Sequence, residues 1–303
     1  MSKRAEAWFL LILLSIIWGS SFILIKKGLE VYNPFQVASL RIALAALCLL
    51  PVAVLNLTKV PVQKLKYIFL FGLCNAGLPA FCFSIAQTHV DSSTAGILNA
   101  LTPIFTMILG ALVFSVPLTG KKFSGVMIGF CGACLLVFFK NGFDNPTPVT
   151  DVNFGYTMLI IFATVLYGFS GNIMKNHLND VPGAVISSFS YLIFAMPLTV
   201  YLLGFSDFFS RLQESPKGYT ALGYICILGV IGSAIAIVLL SRLLKKSSAL
   251  FGSFTTYLLP FVAIMWGIGI GEKIGVIPFL SLGVILTGIF ISNLSFKKTV
   301  KPI

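Results

Sequence analysis

The stretch SIIWGSSFILIK, Ser15–Lys26, sets a Trp-Gly-Ser-Ser group inside an apolar run that closes on lysine. VLYGFSGNIMK, Val165–Lys175, repeats the order: an aromatic residue, glycine, a serine two residues later, then apolar residues ending in lysine. Trp18-Gly19 falls on Tyr167-Gly168, Ser21 on Ser170 and Lys26 on Lys175, each at an offset of 149. Farther along, Gly96, Asn99 and Pro103 fall on Ser253, Thr256 and Pro260 at an offset of 157. Drift of eight residues is what a loop insertion produces. Non-apolar positions that match in the same order argue for duplication over chance likeness between oily helices.

Working outward from these copies, apolar runs near 20 residues, long enough to cross a bilayer, recur from end to end. The chain is 57% hydrophobic and only 10% charged, where soluble domains carry about a quarter charged residues. These figures specify an integral membrane protein. Spans are expected at about 7–26, 34–56, 65–87, 93–115 and 123–140, then 154–175, 182–204, 219–242, 248–271 and 276–295. NGFDNPTPVTDVN, residues 141–153, is polar and holds two prolines, so it reads as the linker between a first unit, 5–140, and a second, 154–296. Five spans is an odd number, so the second copy enters the membrane in the opposite sense. The expected fold is all-α, with ten transmembrane helices as two inverted five-helix repeats around a central cavity. In that architecture a site between the repeats opens alternately to either side.

Orientation follows from the lysines and arginines, which cytoplasmic loops retain. With the N-terminus inside, cytoplasmic loops hold fourteen of the 21 and outer loops six, with Arg41 inside a span. Both termini are therefore expected in the cytoplasm, in a multi-pass protein of the plasma (inner) membrane. Lys3 and Arg4 ahead of the first apolar run resemble a secretory signal, but no small-x-small cleavage site follows and the run reaches Ile25. It reads as a retained span. A net charge of +12 would raise nucleic acid as a partner of a soluble protein. Here the lysines sit between apolar runs, facing headgroups, and no basic and aromatic stripe lies outside them, so no nucleic-acid partner is expected. All six cysteines fall inside apolar runs, which argues against a disulfide scaffold, and small-residue packing explains CGAC (Cys131–Cys134) better than redox chemistry.

The Trp-Gly-Ser-Ser start, Arg41 in SLRIALAAL, the LTPIF and LLPFV proline segments, and GEKIGVIPFLSLGVILTG resemble the drug/metabolite transporter superfamily, EamA-like branch. The resemblance runs from about residue 7 to 295. It implies an exporter or exchanger of small metabolites, amino acids among them, with the first, third and fourth spans of each half lining a central cavity. It also implies a possible homodimer through the fifth and tenth spans. Departures are visible: the acidic residue after the fourth span of each half survives only as Glu272, against Ser115 or Val116, and Arg41 stands opposite Phe189 or Ser190.

Candidate cavity residues come from polar groups at mid-membrane depth. Trp18 and Ser21 share a helix face, as do Tyr167 and Ser170. Trp18 lies about 16 Å into its span, deeper than an interfacial aromatic belt. Proline has no N–H, so Pro103 and Pro260 leave the carbonyls of Asn99 and Thr256 without helical partners, each beside a polar side chain. Unsatisfied backbone costs several kcal/mol in lipid unless protein, water or solute pairs with it. Asn99 and Thr256, with Gly96 and Ser253 a turn away, lead the candidates. Asn75 joins them as a buried amide on the third span, while Asn172, Thr255 and Tyr257 are weaker ones. Arg41 is expected to snorkel or to bond loop carbonyls, with a substrate carboxylate as the alternative.

None of the nine acidic residues falls deep in a span, which favours facilitated diffusion or exchange over a proton pump built on a buried carboxylate. No catalytic constellation, metal ligand set or cofactor motif is read in the chain, so an enzyme is not expected. A non-transporting scaffold or sensor is the alternative to a secondary transporter. The expected partners are a small-molecule substrate and the lipid bilayer.

Overall fold

The computed structural model describes residues 3–57, 60–90, 92–139, 154–269 and 276–293. Among the described residues there are helices and no strands. The first half runs α1 (Lys3–Leu29), α2 (Pro34–Val54), α3 (Val62–Gly72), a π-helical turn (Leu73–Gly77), α4 (Leu78–Ala86), α5 (Ser92–Asn99), α6 (Thr102–Phe114) and α7 (Gly120–Phe138). The second half runs α8 (Phe154–His177), α9 (Gly183–Gly204), α10 (Phe208–Glu214), α11 (Gly218–Gly229), a π-helical turn (Val230–Ile235), α12 (Ala236–Lys246), α13 (Ala249–Ser253), α14 (Thr255–Gly269) and α15 (Ile277–Asn293). Six helical stretches among the described residues, Arg4–Leu29 and Gly218–Lys246 included, are long and apolar enough to cross a membrane. Large apolar side chains such as Leu112 (80% exposed) and Phe205 (79%) stand on the outside, an arrangement suited to hydrocarbon and costly in water.

Local chemistry starts several helices. Asn33 and Gln36 form a reciprocal capping box ahead of α2, and Thr119 and Ser248 accept hydrogen bonds from Lys122 N and Phe251 N to open α7 and α13. The π-helical turns occupy matching places, since Leu73 and Val230 are separated by 157, the offset that also relates the two proline segments. Gly72 precedes the first turn and Gly229 the second.

Packing between the halves repeats itself with the roles exchanged. A Cβ on Gly19 would stand 2.7 Å from Val262 Cβ, and one on Gly168 would stand 2.7 Å from Thr106 N and 3.0 Å from Phe105 C. Thus α1 lies against α14, and α8 against α6. A Cβ on Gly229 would come within 3.0 Å of the Arg41 carbonyl oxygen, and one on Gly72 within 3.0 Å of Ser190 Cβ. The opposite number of Arg41 is thereby Ser190. The two pairs of like elements, α2 with α9 and α7 with α15, pack directly. In the second of these Gly125, Gly129 and Gly132 face Gly288, the Tyr257 ring and Ile285, so close backbone approach consumes these glycines within the chain.

The expected spans need three corrections. Both proline-bearing spans are broken and restarted, between Asn99 and Thr102 and between Ser253 and Thr255, instead of running continuously through a kink. The third and eighth carry π-turns that hydropathy does not register. A short α10 occupies what had been read as loop. Glu272, the 141–153 linker and Lys273 lie outside the described residues.

Charges gather at the helix ends. Glu30 Oε1 is 2.6 Å from Lys27 Nζ and its Oε2 3.2 Å from Lys217 Nζ, while Arg211 Nε is 2.6 Å from Asp207 Oδ2. At the other end of α1, Glu6 pairs with Lys246 at 2.8 Å; Lys64 reaches Asp180 at 2.8 Å. Hydrogen bonds from Lys27 and Lys217 hold the Glu30 carboxyl below the usual carboxylate range, and that from Arg211 does the same for Asp207.

Candidate functional site

A cavity of about 880 Å³, its mouth included, lies where the two halves meet. Its wall takes residues from α1, α4, α5 and α6, from α8, α12, α13 and α14, and from both π-turns, with Arg41 of α2 and Tyr191 of α9 between them. Eight of the eleven residues singled out from sequence stand on this wall: Trp18, Ser21, Asn75, Asn99, Tyr167, Ser170, Ser253 and Thr256. Gly96, Pro103 and Pro260 are buried off it. On α6 the wall is formed by Thr102 and Thr106, and Pro103 lies about 60° past their arc. On α14 the wall is formed by Thr255, Thr256 and Leu259, and Pro260 falls about 40° past its Thr256 edge.

The π-turns supply the hydrogen-bond geometry. A π-turn displaces the regular ladder and leaves carbonyls turned outward. Trp18 Nε1 donates to Gly232 O in the second turn at 3.1 Å. In the other half Asn75, the counterpart of Gly232, donates through Nδ2 to Ser170 Oγ at 3.1 Å. The first turn thus also bonds the opposite half's first helix, through a different residue of that helix and with donor and acceptor reversed. Arg41 Nε donates to Ser233 Oγ at 2.6 Å, and Ser233 Oγ donates in turn to Leu228 O at 3.1 Å. Arg41 therefore bonds a hydroxyl inside the other half of the chain, not loop carbonyls as expected.

The carbonyl argument at Asn99 also needs correction. Thr102 Oγ1 donates to Asn99 O at 2.7 Å, so the peptide oxygen released by Pro103 has a partner within the break. Thr256 Oγ1 donates to Ser253 O at 2.9 Å at the second break. Asn99 reaches the wall through its side chain, with Oδ1 3.2 Å from Thr102 Oγ1. Ser21 and Ser170 bond back to Ile17 O and Tyr167 O. Two weaker candidates are structural. Asn172 Nδ2 donates at 2.9 Å to both Thr106 O and Gly168 O, stapling α8 to α6, and Tyr257 OH donates to Val126 O at 2.8 Å.

Sequence reasoning gave Arg41 a solute contact only as the alternative, and missed Tyr191, Phe83, Thr102 and Thr106 as wall residues. Arg41 had a signal, being the one charge well inside a span; the others look like ordinary apolar-span residues. Arg41 is also the only charged side chain among the described residues lining the cavity. Among the described residues no cluster of three or more His, Cys, Asp or Glu could hold a metal ion.

The EamA-like transporter family matches residues 6–138 and again 154–294. The chain belongs to that family. A crystal structure of similar fold superposes with a TM-score of 0.71 at 13% identity, covering 96% of this chain and 97% of its own. Among curated relatives, YedA of Escherichia coli strain K12, described as an uncharacterized inner membrane transporter, is 27% identical over 93% of this chain and 88% of its own length. A probable terminal-alkyne amino-acid exporter of Streptantibioticus cattleyicolor is 23% identical over 87% of this chain and 84% of its own. This chain is accordingly a multi-pass membrane protein of a transporter family, and the family names point to transport, not catalysis.

Proposed function

We propose that this chain is a secondary transporter, an exporter or exchanger of small metabolites such as amino acids, that works by alternating access. In this reading two five-helix repeats, 5–140 and 154–296, joined by 141–153, are inverted in the membrane with both termini cytoplasmic, and the cavity between them binds the solute. One observation carries the reading: each half contributes the same set of elements to the cavity, and the helix packing between the halves recurs with the halves exchanged, α1 on α14 answering α8 on α6. Gly19 on Val262 answers Gly168 on Phe105, and each π-turn is hydrogen-bonded to the first helix of the other half, Gly232 to Trp18 and Asn75 to Ser170. Such exchange gives a pocket two near-equivalent ways of closing, one for each face of the bilayer. Ser21, Asn75, Asn99, Tyr167, Ser170, Ser253 and Thr256 are assigned to solute contact, with Trp18 closing the wall.

The test is flux in proteoliposomes holding the purified full chain, with a panel of isotopically labelled amino acids inside. Release of any member faster than from protein-free vesicles, accelerated by unlabelled solute outside, is the expected result. Release indistinguishable from that of protein-free vesicles for the whole panel would leave a non-transporting role in its place.

A further inference from the structure

Arg41 holds one cation in the cavity wall with no acid to answer it. Its Nε is engaged by Ser233 Oγ at 2.6 Å. Among the described residues no carboxylate lies within ion-pair distance of the guanidinium, and Nη1 and Nη2 have no hydrogen-bond partner. Every other charged pair described lies at a helix end. A cation half-buried among Phe22, Phe83, Tyr167 and Tyr191 is unfavourable in low dielectric unless an anion joins it. The side chain is also held in place. Gly229 brings the second half against the Arg41 backbone, and Ser233, itself anchored on Leu228 O, fixes the Nε edge. What remains presented is the planar Nη1/Nη2 end of the guanidinium, whose two parallel donors match the two oxygens of a carboxylate.

Resting on the transporter reading above, we infer that the cavity selects solutes bearing a carboxylate, and that Arg41 is the residue that binds it. Selection acts in both directions. A carboxylate is neutralised by Arg41, whereas a solute of net positive charge meets a like charge, with no acidic side chain among the described wall residues to offset it. An ammonium on the same solute is accommodated by neutral oxygens, those of Asn75, Asn99 and Thr256, so zwitterions pass and decarboxylated amines do not. Pseudo-symmetry makes the reading asymmetric: Ser190 occupies the equivalent place in the other half, where its hydroxyl donates to Ile68 O at 3.3 Å, so a solute is gripped by its anion from the first half only.

The experiment uses the full chain in proteoliposomes loaded with an equimolar mixture of the common amino acids, their carboxamides and their decarboxylated amines, with efflux read by mass spectrometry. Wild-type protein is expected to release acids in preference to the matching amides and amines. Arg41→Gln keeps a donor for Ser233 and is expected to slow the acids by about tenfold or more, the loss of a charge-assisted hydrogen bond. It is also expected to lower the acid-to-amide ratio, a change that general misfolding does not produce. Arg41→Lys, retaining the charge without the fork, is expected to fall between the two. Equal release of acids and amides by the wild type, or an unchanged ratio in Arg41→Gln, overturns the assignment while leaving transport intact. Failure to release any of the three classes takes down transport and this assignment together.

Discussion

Asn99 brings two oxygens to the break between α5 and α6, and Thr102 Oγ1 donates to the peptide one at 2.7 Å. Leucine at position 99 keeps that backbone partner and removes only the amide. Asn99→Leu is therefore expected to abolish flux of the transported solute while yield and melting temperature stay near wild type; unaltered flux would remove Asn99 from the site. Ser115 is the one described non-glycine residue with positive φ, 52°, at the C-terminal end of α6. An L side chain there is strained and glycine is not, so Ser115→Gly is expected to stabilise by about 1 kcal/mol, read as a higher melting temperature in detergent. At this scale sequence was informative where a residue was chemically out of place in oil. Asn75, Asn99 and Trp18 were visible for that reason. Thr102 and Thr106 were not, because a threonine that bonds a carbonyl three or four residues back is unremarkable in any membrane span.

The helices meet through glycines that are not interchangeable. A Cβ on Gly168 would press on the backbone of Thr106 at 2.7 Å, while one on Gly223 of α11 would meet nothing within 4 Å. Gly168→Ala is expected to destabilise by about 1–3 kcal/mol through overpacking, and Gly223→Ala to leave stability unchanged or raise it by up to about 1 kcal/mol through helix propensity. Thermal melts of the two variants side by side check this; equal effects would mean that α6 and α8 are not in contact at Gly168. The π-turns were illegible beforehand. Whether an amide bonds four or five residues back depends on what stands opposite, and here Trp18, Arg41 and Ser170 reach the turns from the other half. The prolines did announce an irregularity. Both spans carry breaks and not kinks, and at the first of them Thr102 hydrogen-bonds the Asn99 carbonyl from the far side of the gap.

For the molecule as a whole, the exchanged contacts predict two closed states with the cavity open to opposite faces. In a background with the six native cysteines replaced, cysteine at position 21 or 170 is expected to react with membrane-impermeant reagents from one side or the other according to the solute gradient. Reaction from a single side under every gradient would contradict alternating access. The ion pairs at the helix ends set the response to acid. Glu30 and Asp207 have folded pKa values below their ordinary 4.5 and 3.8, so their stabilisation is present above those values and is lost as pH falls through the lowered ones. Melting temperature is expected to be insensitive to these pairs from pH 8 to 5 and to decline below about pH 4, with only a small amplitude at high salt, since both carboxylates are exposed. A transition centred near pH 6 would assign the acid response to other groups.

The membrane class and most of the polar residues that line the cavity were legible in the sequence, because hydrocarbon tolerates so few polar groups that each exception shows. Tertiary structure alone decided which helices face each other, where the backbone departs from α geometry, and that Arg41 turns its guanidinium into the cavity and not toward the headgroups. Those outcomes depend on atoms supplied by the opposite half of the chain, about 190 residues away in the case of Arg41 and Ser233. Spacing along one strand of sequence carries no record of which of several long apolar helices will bring such a partner within 3 Å.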